Sequence, residues 1–219
     1  MCGRYTIAID ARRIAAELGL ESVPVMRPRW NVAPTQDAPV VLDASPRELS
    51  LLRWGLLPPW AREPTEGFIN ARAETVAEKP AFRTALRRHR CLVLADGFYE
   101  WRRDGPRKRP HHIRRPDGGL MTFAGLWSTW QPPGGGPPLR TFAIVTTEAS
   151  ATVRAIHERM PLVLERDERA AWLDRSASLE QLRTMLVPHA PALEAVEVGT
   201  RVNSPAFDDP ACVQPLVRE

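Results

Sequence analysis

Short apolar stretches separated by turn-forming residues run along the whole chain, and their spacing predicts a mixture of strands and helices. The predicted strands cover residues 4–7, 40–42, 49–54, 91–94, 112–114, 121–127, 141–146, 161–164 and 196–198. The predicted helices cover residues 11–18, 80–88, 151–156, 166–173 and 179–186. Irregular structure is expected where prolines and glycines accumulate, in residues 24–36, 58–75 and 132–138.

The order of these elements indicates the fold class. Strands and helices interleave without the regular alternation that a parallel βαβ sheet requires. We therefore predict an α+β fold, with a curved antiparallel sheet or barrel-like β core flanked by short helices. The chain has 219 residues, of which 43% are hydrophobic, and this is enough for a substantial core. Without repeats or a clear boundary, residues 1–219 are expected to form one domain.

The sequence contains no apolar run long enough to span a membrane, and its N-terminus lacks the pattern of a signal peptide. A cytoplasmic protein with no membrane partner is therefore expected. Its three cysteines, Cys2, Cys91 and Cys212, are odd in number and lack metal-like spacing. Neither disulfides, nor a metal, nor an organic cofactor is predicted.

Charge is distributed unevenly along the chain, although the formal net charge is only +4. Residues 83–115 contain eleven Lys and Arg against three acidic residues, whereas residues 163–219 contain six against ten. A basic middle segment predicts a positively charged face, and the commonest partner of such a face is a polyphosphate chain. A solvated, arginine-rich surface explains the same composition equally well.

Cys2 follows the initiator methionine, so removal of Met1 would expose an α-amine and a thiol on adjacent carbons. Such a pair can trap an aldehyde twice, because the amine forms an imine and the sulfur then closes a five-membered thiazolidine ring. An α-amine titrates around 7.7 to 8.0 and a thiol near 8.5, so small perturbations free either nucleophile near neutral pH. From position alone, Cys2 could equally be a small hydrophobic residue.

Four separate groups of residues stand out along the chain. They are MCGRYT at 1–6, RWNVAPTQ at 29–36, NARAET at 70–75 with DGFYEW at 96–101, and IHERMP at 156–161. With these motifs the sequence strongly resembles the SOS response-associated peptidase (SRAP) family, from Cys2 to the VNSP sequence at 202–205. The resemblance implies a protein that shields abasic sites in single-stranded DNA by crosslinking to them.

Two side chains suit the first steps of such a reaction. An abasic deoxyribose is mostly a closed hemiacetal, and its aldehyde forms only when a proton moves between the ring oxygen and the C1′ hydroxyl. Glu100, at the end of an apolar strand, is the predicted acid or base, because burial would raise its pKa. The alternative is an exposed carboxylate at a sheet edge. The amide of Asn70 can donate to the sugar and accept from the Cys2 amine, and the resemblance matches it to the family's asparagine.

His157 is the predicted acid for expelling water from the carbinolamine, because an unperturbed histidine titrates near pH 6.5. A lone histidine is more often structural, but the resemblance places the family's catalytic histidine at this position. The other histidines occupy positions where solvent or phosphate contact is the expected environment. They are His89, His111 and His112 in the basic segment, and His189 after Pro188.

Binding of single-stranded DNA needs positive charges for the phosphates and flat surfaces on which bases stack. The predicted DNA contacts are Arg4, Asn31, Trp60, Arg72, Trp101 and Arg159. Asn31 could read a base edge or cap its own loop. Glu74 is expected to hold Arg72 or the region of Cys2. Most tryptophans should be buried, and Trp54 and Trp127 are the predicted core members.

The resemblance and the residue chemistry together predict a monomeric protein that binds single-stranded or junction DNA containing abasic sites. It would associate with the nucleoid when bound to DNA. Weak abasic-site lyase activity is possible through the iminium. Two alternatives remain at this point. A cysteine peptidase would use Cys2 as its nucleophile and His157 as its base, and would remove Met1 autocatalytically or cleave peptides in trans. A non-covalent nucleic-acid binder would bind in a salt-sensitive way and would be indifferent to Cys2→Ala.

Overall fold

The computed structural model describes residues 2–188 and 192–216, and the fold is α+β as predicted. The strands of this part of the chain are β1 Tyr5–Ile7, β2 Arg29–Val32, β3 Asp37–Leu42, β4 Ser45–Trp54, β5 Asn70–Arg72, β6 Arg90–Ala95, β7 Gly97–Asp104, β8 Arg107–Arg114, β9 Met121–Trp130, β10 Leu139–Glu148, β11 Arg159–Pro161, β12 Val163–Leu164 and β13 Glu194–Glu197. The helices are α1 Ala11–Leu18, α2 Arg83–Arg88, α3 Ala151–Arg154, α4 Glu168–Leu173 and α5 Leu179–Met185, with 3-10 helices at Thr200–Asn203 and Pro210–Val213.

Five strands close into a small barrel. Around it, β3 pairs with β4, β4 with β10, β10 with β9, β9 with β6, and β6 with β3. Every pairing is antiparallel except that of β4 with β10, which is parallel. The interior contains Trp54 stacked on Phe142 at 6.2 Å, with Tyr5 and Phe123 packed in edge contacts. The barrel is therefore filled by side chains and provides a rigid base for its rim.

A second antiparallel sheet has the strand order β13-β8-β7-β1-β2. The short strand β1 pairs with β7 on one side and with β2 on the other. Because β1 lies in the middle of a sheet, the start of the described chain is fixed to the rest of the protein instead of fraying. The tight turn between β7 and β8 has Gly105 at φ 58°, a conformation that favours glycine.

Two strands lie where irregular structure was expected. β2 occupies the middle of the proline-rich residues 24–36, where the Asp208 carboxylate accepts hydrogen bonds from the backbone N–H groups of Trp30 and Asn31. β5 forms by parallel pairing with β10. In both cases the partners that order the strand are distant in the sequence, so a local pattern could not reveal them.

The expectation that His111 and His112 are solvated is wrong, because both side chains are buried. His112 Nε2 lies 3.2 Å from the Thr6 hydroxyl, and burial lowers the pKa of His112 to about 4. Only glycine fits at position 97 beside the His112 ring, because a Cβ atom at Gly97 would lie 2.1 Å from His112 Nε2. His189 lies outside the described residues.

The predicted helices are all present, with α1 beginning and ending as expected and the others one to three residues shorter at an end. Trp54 is fully buried, as predicted. Trp127 is only partly buried, and its indole N–H donates to Asp43 at 2.9 Å.

Candidate functional site

Cys2 lies at the rim of the barrel, immediately before β1, and is fully buried. Its thiol donates a hydrogen bond to the carbonyl of Arg4 at 3.7 Å, and the same carbonyl accepts from the Tyr99 N–H of β7. Burial raises the pKa of the Cys2 thiol strongly, and the nearby charge of Glu100 acts in the same direction. The thiol is therefore protonated near neutral pH.

Asn70 begins β5 and contacts Cys2 directly. Its Nδ2 donates to the carbonyl of Cys2 at 2.9 Å. The Oδ1 atom of Asn70 is buried and has no hydrogen-bond partner among the described residues. A buried acceptor without a partner is costly, so this orientation leaves an oxygen available for a donor that arrives at the site.

Glu100 and His157 are the predicted acid–base residues, and the charge of Glu100 acts on Cys2. The Glu100 carboxyl is almost completely buried, at 3% exposure, and burial raises the pKa of Glu100 to about 7. His157 Nδ1 lies 4.0 Å from Glu100 Oε1 and accepts a hydrogen bond from the Arg159 N–H at 3.0 Å. Burial lowers the pKa of His157, and this makes its imidazolium a stronger acid.

Glu100 and His157 line an open cleft of about 390 Å³, which we name the hairpin cleft because one rim is the β7–β8 hairpin. The complete lining is Glu100, Trp101, Arg103, Lys108, His157 and Asn203. The indole N–H of Trp101 donates to Asn203 Oδ1 at 2.8 Å. One wall of the cleft is therefore held by the 3-10 helix Thr200–Asn203.

A second cleft, of about 350 Å³, is lined by Arg72, Glu148, Arg154, Glu158 and Arg159, and we name it the ion-pair cleft. Arg159 donates two hydrogen bonds to Glu74, at 2.7 and 2.9 Å, and a third to the carbonyl of Thr146. The hydrogen-bond partner of Glu74 is thus Arg159, which the sequence did not predict, while Arg72 acts on Glu74 through its charge. The contact lowers the pKa of Glu74.

Arg4 and Asn31 fasten the C-terminal segment to the second sheet, at β1 and β2. Arg4 donates to Asn31 Oδ1 and to the carbonyls of Val202 and Asn203. Asn31 is fully buried, and its Nδ2 donates to the carbonyls of Val202, Ser204 and Phe207. Asn31 therefore presents no exposed atom to a base, and its contacts are those of a structural residue.

Of the other predicted DNA contacts, Trp60 and Arg72 have exposed side chains, and Trp101 is half-buried. Trp60 is 58% exposed in the loop that follows β4, which leaves its indole face open for stacking. The guanidinium of Arg159 is only 11% exposed because of its contacts with Glu74.

Sequence reasoning did not select Arg103, Lys108 and Asn203 as site residues. The first two belong to the basic segment, whose role the pattern left open, and Asn203 belongs to the VNSP motif. What brings them to the cleft is the pairing of β7 with β8 and the hydrogen bond from Trp101.

No group of three His, Cys, Asp or Glu side chains in residues 2–188 and 192–216 is placed to hold a metal ion. No helix in these same ranges is long and apolar enough to cross a membrane.

The fold and the site define a small-barrel protein that carries a cysteine near the start of the chain beside an amide, a carboxyl and an imidazole. Residues 1–205 match the model of the SOS response associated peptidase (SRAP) family, and the chain belongs to that family.

Two relatives illustrate the range of the similarity. The chain is 42% identical to abasic site processing protein YoaM of Bacillus subtilis, with 94% of each chain covered. It is 33% identical to abasic site processing protein HMCES of Gallus gallus, covering 99% of this chain and 78% of the relative. A crystal structure of a protein from Bacteroides thetaiotaomicron matches with a TM-score of 0.89 at 29% identity, covering 99% of this chain and all of that one.

Proposed function

We propose that this protein processes abasic sites in DNA by binding single-stranded DNA and capturing the lesion covalently through Cys2 after removal of Met1. The relatives YoaM and HMCES are named for abasic site processing, and this supports the lesion as the target. The observation that carries the proposal is the 2.9 Å hydrogen bond from Asn70 to Cys2, beside the buried carboxyl of Glu100.

The protonation states suggest the order of events. Because burial keeps the Cys2 thiol protonated, the free α-amine is the first nucleophile. It adds to C1′ of the open sugar, the carbinolamine loses its hydroxyl as water, and an iminium results. The sulfur then forms a bond to the same carbon as it gives up its proton. The product contains one new C–N bond and one new C–S bond, and one water is released.

Each neighbouring side chain has a proposed role in these reaction steps. Glu100, with a pKa of about 7, is present in both protonation states near neutral pH and can move a proton during ring opening. The free Oδ1 of Asn70 accepts from the Cys2 amine and holds it in line with the aldehyde. His157 supplies a proton to the hydroxyl that leaves the carbinolamine.

Exposed side chains near the site are available to bind DNA. Arg72 is proposed to bind a phosphate, and Trp60 and Trp101 to stack on bases. Arg4, Asn31 and Arg159 are left out of this contact set, because Arg4 and Asn31 donate to carbonyls of the C-terminal segment and Arg159 donates two hydrogen bonds to Glu74.

The test is a denaturing gel of the protein mixed with a single-stranded oligonucleotide that contains one abasic site. Mass spectrometry first establishes that Met1 has been removed. We expect a denaturant-resistant band with the wild type and with Cys212→Ala, a matched variant that removes a buried cysteine outside the site. Cys2→Ala should give none. A band of equal intensity from Cys2→Ala would refute capture by this residue.

The peptidase alternative has weaker support. A cysteine peptidase needs a thiolate activated by a base, whereas the Cys2 thiol has a raised pKa and donates to the carbonyl of Arg4. The iminium could also permit β-elimination of the 3′ phosphate, so abasic-site lyase activity is a possible side reaction of the proposed mechanism. It would appear on the same gel as a shortened oligonucleotide.

A further inference from the structure

Two cations face each other on the rim of the hairpin cleft. Arg103 of β7 and Lys108 of β8 are paired directly across the hairpin, and both side chains are exposed. Like charges directly opposite each other destabilise a pair of strands. The hairpin therefore carries an electrostatic cost at the point where it borders the cleft, and an anion bound there would offset it.

One neighbouring cation of the hairpin, Arg109, is compensated by two carboxylates, whereas this pair is not. Arg109 lies 3.3 Å from Asp104 and 3.3 Å from Glu197. Arg103 and Lys108 form no ion pair with any carboxylate in residues 2–188 and 192–216. The one acidic side chain in the cleft lining is Glu100, and burial raises the pKa of Glu100 to about 7.

The cleft has the dimensions and contents of a small-molecule site. Its volume of about 390 Å³ falls within the range of about 300 to 1,000 Å³ that is typical of ligand pockets. Glu100 and His157 lie in the same lining as the two cations, so that one cleft contains both the candidate acid–base groups and two positive charges.

We propose that Arg103 and Lys108 form a phosphate subsite, and that this subsite lets the cleft capture free phosphorylated aldehyde sugars such as 2-deoxyribose 5-phosphate as well as DNA. This inference rests on the proposed function of Cys2. Capture follows the same balanced reaction: C1 gains a bond to nitrogen and a bond to sulfur, one water is lost, and the phosphate ester stays intact.

The test compares two small aldehydes, 2-deoxyribose 5-phosphate and 5-O-methyl-2-deoxyribose. The methyl ether lacks the phosphate, and neither sugar can close a six-membered ring, so their intrinsic reactivities are similar. Rates with free L-cysteine correct for any remaining difference. Adduct formation on the protein without Met1 is followed by intact mass. We expect the wild type to prefer the phosphate about tenfold, which corresponds to about 1.4 kcal/mol.

The variant R103Q/K108Q should lose this preference, so that its corrected rates with the two sugars become equal. Unfolded protein would react like free L-cysteine and show no preference, so circular dichroism must first show that the variant is as fully folded as the wild type. The control R12A/R13A removes the same charge from the exposed side of α1, outside the cleft lining, and should keep the wild-type ratio.

The outcomes separate the two proposals. A wild type that reacts with neither sugar and forms no adduct with an abasic oligonucleotide would refute capture by Cys2. A wild type that forms the DNA adduct but shows equal corrected rates with the two sugars would refute the phosphate subsite alone. The subsite is likewise refuted if R103Q/K108Q keeps the wild-type ratio, or if R12A/R13A loses it to the same extent.

Discussion

The hairpin cleft and the ion-pair cleft both contain acidic and basic side chains, yet they use them differently. In the ion-pair cleft, Arg159 has a bidentate contact with Glu74 and Arg154 lies 3.6 Å from Glu148, so that two of its three cations are paired within the protein. In the hairpin cleft, Arg103 and Lys108 have no ion-pair partner in the described part of the chain, and the one acidic side chain of the lining is buried.

This difference separates charged side chains that stabilise the structure through ion pairs from those that can bind a ligand or transfer a proton. An arginine held by a carboxylate orients a neighbouring segment, and here the Arg159 N–H that orients His157 belongs to such a residue. A buried carboxyl with a raised pKa does not stabilise the fold near neutral pH, and such groups are candidates for proton transfer. We therefore propose the hairpin cleft as the reactive cleft and the ion-pair cleft as its support.

The largest expected effect comes from removing the carboxyl of the hairpin cleft. Glu100→Gln keeps the shape of the side chain but cannot transfer a proton, and crosslinking to an abasic oligonucleotide should slow by about 100-fold or more. Glu148→Gln, in the ion-pair cleft, is the matched control and should crosslink at the wild-type rate. Single-turnover rates from denaturing gels measure both. Equal rates for the two variants would contradict the distinction between the clefts.

Glu100→Gln should lower the crosslinking rate but increase the free energy of unfolding above neutral pH. The pKa of Glu100 is about 7 in the folded protein against an ordinary value of 4.5, so the unfolded state releases this proton first as pH rises. The stability of the wild type relative to Glu100→Gln is therefore greatest below pH 4.5, and it is lost as pH rises through 4.5 to 7. Above that window the variant should be more stable by up to about 3 kcal/mol.

Urea unfolding of both proteins at several pH values measures this difference. His112 has the opposite dependence, because its pKa of about 4 lies below its ordinary value of 6.5, and it destabilises the fold as pH falls through that window. His112 is present in both proteins, so its contribution cancels in the difference. His157, Arg103 and Lys108 face the same cleft and are likewise unchanged. A difference that does not vary with pH would contradict a buried, titrating Glu100.

The parts of the fold that the sequence predicted well are those whose causes are local. Helix α1 is the clearest case, because the Asp10 side chain accepts from the N–H groups of Arg12 and Arg13, and Gly19 ends the helix in a left-handed conformation. The strand β2 could not be predicted in this way. It depends on Asp208, which lies far along the chain, and on pairing with β1.

In the candidate site, too, some residues could be predicted from the sequence and some contacts could not. Cys2, Asn70, Glu100 and His157 could be proposed because their residue types match the chemistry of aldehyde capture and the motifs of a known family. The partner of Glu74 could not be chosen from the sequence, because several arginines were compatible with it. Only the antiparallel pairing of β10 with β11 brings Arg159 into reach of that carboxylate.

The smallest expected effect comes from making the ion-pair cleft resemble the hairpin cleft. Glu74→Gln removes the carboxylate that neutralises Arg159, while the guanidinium stays at the edge of the cleft beside Arg72. In a Cys2→Ala background, which prevents crosslinking, affinity for single-stranded DNA should rise a few-fold at low salt. Binding by fluorescence anisotropy across a salt series should give a slope steeper by about 0.7, the value for one additional phosphate contact.

A change in net charge alone would also strengthen binding, so the control must change the same charge elsewhere. Glu21→Gln breaks the exposed ion pair with Arg47, outside both clefts, and adds the same single positive charge. We expect it to leave the salt slope unchanged, because long-range attraction is screened and adds no phosphate contact. Equal slopes for Glu74→Gln and Glu21→Gln would mean that Arg159 is not near the DNA path. A steeper slope for Glu74→Gln alone would show that the carboxylate withholds a cation from the DNA in order to keep the His157 segment in place.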